Sequence, residues 1–133
     1  MQREDLDRLA TRTLDAAFEV HRELGPGLLE NSYEMALCHE LSRAGIRFER
    51  QKDLPVLYKG LRLDCGYRID VLVEDALLLE LKSCEQLLPL HDAILLNYLK
   101  LARCQLGYLI NFNVRLLKNG IHRLRNDPAP SAS

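Results

Sequence analysis

The chain predicts an α/β fold, with a central mixed sheet flanked by helices and two N-terminal helices preceding the sheet. Three observations carry that expectation. Apolar residues recur at helical spacing through the stretch before Gly45. Two apolar runs, residues 69–73 and 77–81, flank a short acidic turn and read as a strand hairpin. Strand-like 77–82, helix-like 89–103 and strand-like 106–111 then follow in the order of a βαβ unit, whose strands should be parallel and whose crossover should be right-handed.

The elements follow from local chemistry. Leu6, Leu9, Leu14, Ala17 and Phe18 fall on one face of a helix over residues 5–24. Gly25-Pro26-Gly27 ends it, because Gly permits a left-handed exit and Pro cannot continue a helix. A second helix is expected over 29–44, with Leu29, Tyr33, Ala36, Leu37 and Leu41 as its stripe and Gly45 at its end. Glu30 falls in its first turn, where the helix dipole stabilises an acid by about 0.3–1 kcal/mol, so the position already has a structural explanation. Residues 46–59 are strand-like, Lys59-Gly60 reads as a turn, and 61–65 as the return strand. Residues 83–88 are expected to be a loop. Pro89 suits the first turn of the next helix, whose stripe is Ile94, Leu95, Tyr98, Leu99 and Ala102. A last strand includes Ile121 to Leu124. Residues 1–126 read as one domain, and 127–133, with nothing to bury, as a disordered tail.

Composition narrows the classes. With 133 residues, 47% of them hydrophobic and 28% charged, the chain reads as an ordinary soluble globular protein. No apolar run approaches the roughly 20 residues that cross a bilayer, and the opening Met1-Gln2-Arg3-Glu4-Asp5 does not read as a signal peptide, so no membrane partner is expected. Cys38, Cys65, Cys84 and Cys104 are widely spaced, without ligand-like clustering with His21, His39, His91 or His122. That argues against zinc and for reduced thiols in a cytoplasmic setting. A net charge of −1 means that nucleic-acid binding needs a local basic patch. Arg43, Arg47, Arg50 and Lys52 form one cluster; Arg115, Lys118, His122, Arg123 and Arg125 form another, favoured because Arg123 and Arg125 alternate onto one strand face. Solvated charge on exposed turns is the competing explanation for each. No aromatic platform for stacking bases is evident, with no Trp and three Phe.

The hairpin carries charges where core strands should have none. If Glu74, Asp75 and Ala76 form the loop, Val73 opposes Leu77, Val71 opposes Leu79, Asp70 opposes Glu80 and Arg68 opposes Lys82. A two-residue loop would separate Asp70 and Glu80 onto opposite faces. Opposed carboxylates on so apolar a strand pair need compensation. Two sources are open. A Mg²⁺ ion takes one or two carboxylates and keeps several waters, with Lys82 reaching the same face. Alternatively, Arg68 and Lys82 neutralise the two acids in a structural ion-pair ladder.

Asp70, nine intervening residues and Glu80-Leu81-Lys82 resemble the D…ExK half-motif of the PD-(D/E)XK nuclease superfamily. Gly27-Leu28-Leu29-Glu30-Asn31-Ser32-Tyr33 matches the G-x-x-E-x-x-Y signature of a small family within it, the GxxExxY family. Residues 19–30 and Leu109-Ile110-Asn111-Phe112-Asn113 are similar to that family's opening and end, and the resemblance runs from 14 to 125 in the family's order. It implies a restriction-endonuclease-like core and a metal-dependent nuclease that hydrolyses phosphodiester bonds, with DNA ahead of RNA as substrate. It implies that Asp70, Glu80, the main-chain carbonyl of Leu81 and Glu30 bind Mg²⁺ or Mn²⁺. Lys82 would orient or help deprotonate the water, or stabilise the pentavalent phosphorus. Tyr33 would pack in the core with its hydroxyl toward the site, and Tyr98 would support the site from the third helix.

One position departs from the pattern. Relatives generally carry Gln four residues before the tyrosine equivalent to Tyr98, and here that residue is Ile94. A second class of reading therefore stays open, a weakened or inactive module on the same fold that binds nucleic acid or a protein partner. A domain this small would cover both strands of a duplex more readily as a homodimer.

Overall fold

A computed structural model describes residues 1–127, and the elements below belong to those residues. Helices α1 (Arg3–Leu24) and α2 (Glu30–Arg43) precede β1 (Phe48–Asp53), β2 (Val56–Tyr58), β3 (Leu61–Leu63), β4 (Arg68–Val73) and β5 (Leu77–Lys82). Helix α3 (Pro89–Ala102), β6 (Leu106–Asn111), a 3-10 turn at Leu117–Gly120 and β7 (Ile121–Arg125) complete the order. Pro128–Ser133 of the expected tail lie outside the described residues.

Five strands form a mixed sheet in the order β1-β4-β5-β6-β7. Strands β5 and β6 run parallel from Leu77↔Leu106 to Lys82↔Asn111, and the chain between them is α3, the crossover a parallel pair requires. The other neighbours are antiparallel. One face packs under α1 and α2 through Val71, Val73, Leu79, Leu106, Tyr108 and Ile110. The opposite face packs under α3 through Leu72, Leu78 and Leu109 against Leu95 and Leu99. Being covered on both faces is why β5 begins with an uninterrupted Leu77-Leu78-Leu79, all fully buried. Each such leucine stabilises the fold by about 1.5–3 kcal/mol.

Helix α3 lies directly on the sheet at Gly107. A Cβ there would stand 2.8 Å from Leu99 Cδ2 and 3.1 Å from the Leu78 carbonyl oxygen, so even a methyl would force Leu99 to shift. The helix thus seats on its Leu95–Leu99 row, and Ile94, expected in the buried stripe, is 40% exposed on its flank. Leu29, expected on the stripe of α2, is 80% exposed because it is the extended residue before the helix rather than part of it.

The strand expected over 46–59 is interrupted. The Leu54 amide still donates to the Tyr67 carbonyl (2.8 Å) in the β1–β4 register, but Pro55, which has no amide hydrogen, cannot carry β1 past Asp53. Strands β2 and β3 pair only with each other, around Lys59 and Gly60 at φ +48° and +80°, and the return strand ends at Leu63 rather than Cys65. Among the described residues no helix is long and apolar enough to cross a membrane.

Candidate active site

The β4–β5 hairpin has the register expected near its turn, Val73↔Leu77, Leu72↔Leu78 and Val71↔Leu79 around the loop Glu74-Asp75-Ala76. The ladder stops there, and the expected Asp70↔Glu80 and Arg68↔Lys82 pairs are replaced by side-chain bonds to the strand amides. Glu74 and Asp75 both have positive φ (51° and 54°), and the Ala76 amide donates to the Val73 carbonyl (3.0 Å). Two left-handed residues in succession match the strand twist in a tight hairpin. Arg47 holds this unusual turn. Its amide donates to Glu74 Oε1 (2.7 Å), its guanidinium reaches Oε2 (3.1 Å), and the Glu74 amide donates to its carbonyl (2.9 Å). Those bonds pull the Glu74 carboxyl below its ordinary pKa.

At the open end of the same hairpin the acids have no such partner. The Asp70 amide donates to Glu80 Oε1 (3.2 Å), and the Leu81 amide donates to Asp70 Oδ2 (2.8 Å). Each carboxylate therefore takes an amide of the opposite strand. Ile69 packs with the α3-side cluster and Val71 with the α1/α2-side cluster, so the two-residue alternation fails at Asp70. Burial pushes Glu80 up to about 8, and the neighbouring Asp70 charge adds to the rise. Asp70 is also raised, first by burial and then by Glu34, against the Leu81 amide.

The ion-pair ladder is not the compensation. Arg68 pairs with Asp53 (3.4 Å), and among the described residues no salt bridge joins Arg68 or Lys82 to Asp70 or Glu80. Lys82 acts from further off, favouring the charged form of both acids. Glu30, exposed at the start of α2, adds its negative charge against Glu80.

Two residues that the sequence reading passed over complete the surroundings. Glu34, 5% exposed, is paired with Arg50 (2.7 Å). Gln51, at φ +49°, donates to both Glu34 Oε1 (2.8 Å) and Asp70 Oδ1 (3.3 Å). Glu34 lies one helical turn beyond Glu30 and next to the buried Tyr33, a spacing that could have drawn notice. Nothing local marks Gln51, since its place opposite Asp70 depends on the pairing of β1 with β4.

Lys82 ends its strand in a tethered segment. Its carbonyl accepts from the Phe112 amide (2.9 Å). The buried Asn111 side chain accepts from the Cys84 amide (3.1 Å) and donates to the Cys84 carbonyl (2.9 Å). Ser83 Oγ donates to the Leu28 carbonyl (2.5 Å). Tyr33 is fully buried and stacks on Phe112, with ring centroids 4.5 Å apart. Its hydroxyl does not turn to the carboxylates. It donates to the Gly25 carbonyl (2.6 Å) and accepts from the Leu28 amide (3.1 Å), fixing the loop that Ser83 grips.

Tyr98 is half-buried, with its hydroxyl pKa raised by burial and then by the charge of Glu80. Ile94 shares a pocket with Tyr98 and Tyr67. Of the proposed basic contacts, Arg123 is paired with Asp7 (3.2 Å) and Arg125 with Asp127 (3.3 Å). Arg115 and Lys118 are exposed beside His21 and Arg22, in the connection between β6 and β7.

The donor chemistry fits a divalent cation. Asp70 and Glu80 offer hard oxygens in a half-buried setting, where burial first and the Asp70 charge second raise Glu80 to about 8. Among the described residues no three acidic, His or Cys side chains stand close enough to chelate a metal by themselves.

No curated protein and no solved structure matches the chain at a significant level. A family model described as the PD-(D/E)XK nuclease superfamily matches residues 7–124, nearly the whole sequence. With that match, the mixed sheet and the two leading helices, the chain belongs to the PD-(D/E)XK nuclease superfamily.

Proposed function

We propose that this protein is a metal-dependent nuclease of the GxxExxY type, cleaving phosphodiester bonds in nucleic acid, DNA ahead of RNA, in the cytoplasm and as a homodimer. The observation that carries the reading is the half-buried Asp70–Glu80 pair, held through each other's strand amides without a cationic side chain in contact. Asp70, Glu80 and the Leu81 carbonyl would hold Mg²⁺ or Mn²⁺, with Glu30 reaching it through water from its exposed place on α2. Bound there, the ion supplies charge neutralisation at the phosphate and a more acidic water. Lys82 aligns that water or stabilises the pentavalent phosphorus from the end of β5. Gln51 keeps Asp70 turned inward, and the Asn111–Cys84 bonds limit how far Lys82 can swing.

Calorimetric titration with Mn²⁺ tests the reading, alongside cleavage of single-stranded, duplex and branched DNA and of RNA. Wild type should bind the ion and cut at least one substrate, and Asp70→Ala should do neither.

One observation favours a second reading, a module that binds nucleic acid or protein without turnover. Ile94 presents hydrocarbon on the flank of α3 where relatives present an amide. If wild type and Ile94→Gln both bind Mn²⁺ and leave every substrate intact, the module replaces the nuclease.

A further inference from the structure

Beside the carboxylates lies a pocket of 460 Å³ lined by Val56, Tyr67, Ile94, Asn97, Tyr98 and Lys100, within the roughly 300–1,000 Å³ of small-ligand sites. Its walls come from three places in the chain: β2, the residue before β4, and one flank of α3. Tyr67 is 46% exposed and meets Tyr98 edge to face, with ring centroids 6.0 Å apart and planes at 63°. Ile94, 40% exposed, adds an apolar side. Asn97 supplies an amide with both donor and acceptor, and Lys100 an exposed cation. Tyr98 is near enough to the active carboxylates for Glu80 and Asp70 to act on its hydroxyl.

We propose that this pocket is a subsite for one unpaired nucleobase next to the bond that is cut. The inference rests on the nuclease reading for its substrate and deepens it to strands with an unstacked base. An exposed aromatic ring on an apolar bed offers a π-face that any base can cover, worth about 1–3 kcal/mol per base. The Asn97 amide meets the polar edge of a base, and Lys100 meets a flanking phosphate. A base held in a duplex cannot enter, because its faces are already stacked and its edge already paired. Ile94 then has a use of its own: the isoleucine lines the base pocket.

The test separates binding from turnover. Fluorescence anisotropy would follow a labelled single-stranded octanucleotide, an identical strand with abasic spacers in place of its bases, and a duplex, all with Asp70→Asn protein and no divalent metal. The normal strand should bind at least about tenfold tighter than the abasic strand, the size expected from stacking one base. Tyr67→Ala should erase that ratio without weakening abasic binding, and Tyr67→Phe should keep it. Asn97→Leu, which removes the base-edge amide from an exposed position without adding an aromatic face, should reduce it as well and guards against misfolding of Tyr67→Ala. Equal affinity for normal and abasic strands, or a ratio that survives both Tyr67→Ala and Asn97→Leu, overturns the subsite. Metal-dependent cleavage by wild type without base discrimination removes the subsite and leaves the nuclease. Base discrimination without cleavage removes the nuclease and retains the subsite as a binding site.

Discussion

The two ends of one hairpin place acids in opposite circumstances. At the turn, Glu74 is met by the amide and guanidinium of Arg47 and its pKa falls. At the open end, Glu80 and Asp70 meet only main-chain amides, an amide side chain and each other, and their pKa values rise. The strands are the same and the residue types are the same. What differs is whether a cationic side chain bonds the acid: Arg47 does so at the turn, whereas Lys82 acts on the open end only from a distance. The turn is closed electrostatically and needs nothing further, whereas the open end stores unfavourable charge that an external cation would relieve. The first arrangement serves the fold, and the second costs stability unless something binds.

The largest expected effect breaks the open end. Lys82→Ala should lose on the order of 10²-fold or more in single-turnover cleavage while Mn²⁺ affinity is kept, because its interaction is made mainly in the transition state. Next comes the side chain that positions Asp70. Gln51→Ala should weaken Mn²⁺ binding by about tenfold in calorimetry, the lower end of the range for groups that orient a metal ligand. A variant with unchanged affinity would mean that Asp70 is held by the Leu81 amide alone.

Proton linkage sharpens the contrast without reference to catalysis. Glu80 is raised from 4.5 to about 8, so the stability of its neutral form is full below pH 4.5 and is lost as pH rises through about 8. Metal-free Glu80→Gln should therefore melt at least about 4 °C above wild type at pH 8.5 and level with it near pH 4, on the order of 1 kcal/mol at the higher pH. Mn²⁺ should stabilise wild type most at the alkaline end. Glu74 has the opposite sign: its contribution is present above 4.5 and disappears as pH falls through its lowered value. The smallest effect belongs there. Glu74→Ala should lower the melting temperature at pH 7 by no more than about 3 °C, as for exposed ion pairs, and leave cleavage within about twofold.

The sequence disclosed what depends on short range. Loop parity follows from the run of apolar residues around Glu74-Asp75-Ala76, so the register from Val73↔Leu77 to Val71↔Leu79 was legible, whereas the break in the ladder at Asp70, where carboxylates take the strand amides, was not. The parallel β5–β6 pair followed from a helix-length insertion between two apolar runs. What stayed hidden depends on partners distant in the chain. Glu34 is buried because Arg50 and Gln51 arrive from β1, and its own helix does not reveal that. Ile94 satisfies a helical stripe, yet the stripe seats along Leu95 and Leu99, a choice made by the sheet. Tyr67 and Tyr98, thirty-one residues apart, form the aromatic surface that composition gave no hint of.

The bare hydrogen at Gly107 gives the protein a remote adjustment screw. Gly107 sits on β6, with its nearest contacts to Leu78, Leu95 and Leu99, yet it sets the height at which α3 rides over the sheet. Tyr98 precedes Leu99, so any methyl introduced at Gly107 would raise the helix or turn the Leu99 side chain and alter how closely that tyrosine overlooks Glu80. Natural or engineered variants could thus retune the aromatic pocket against the carboxylates through a backbone position that belongs to neither.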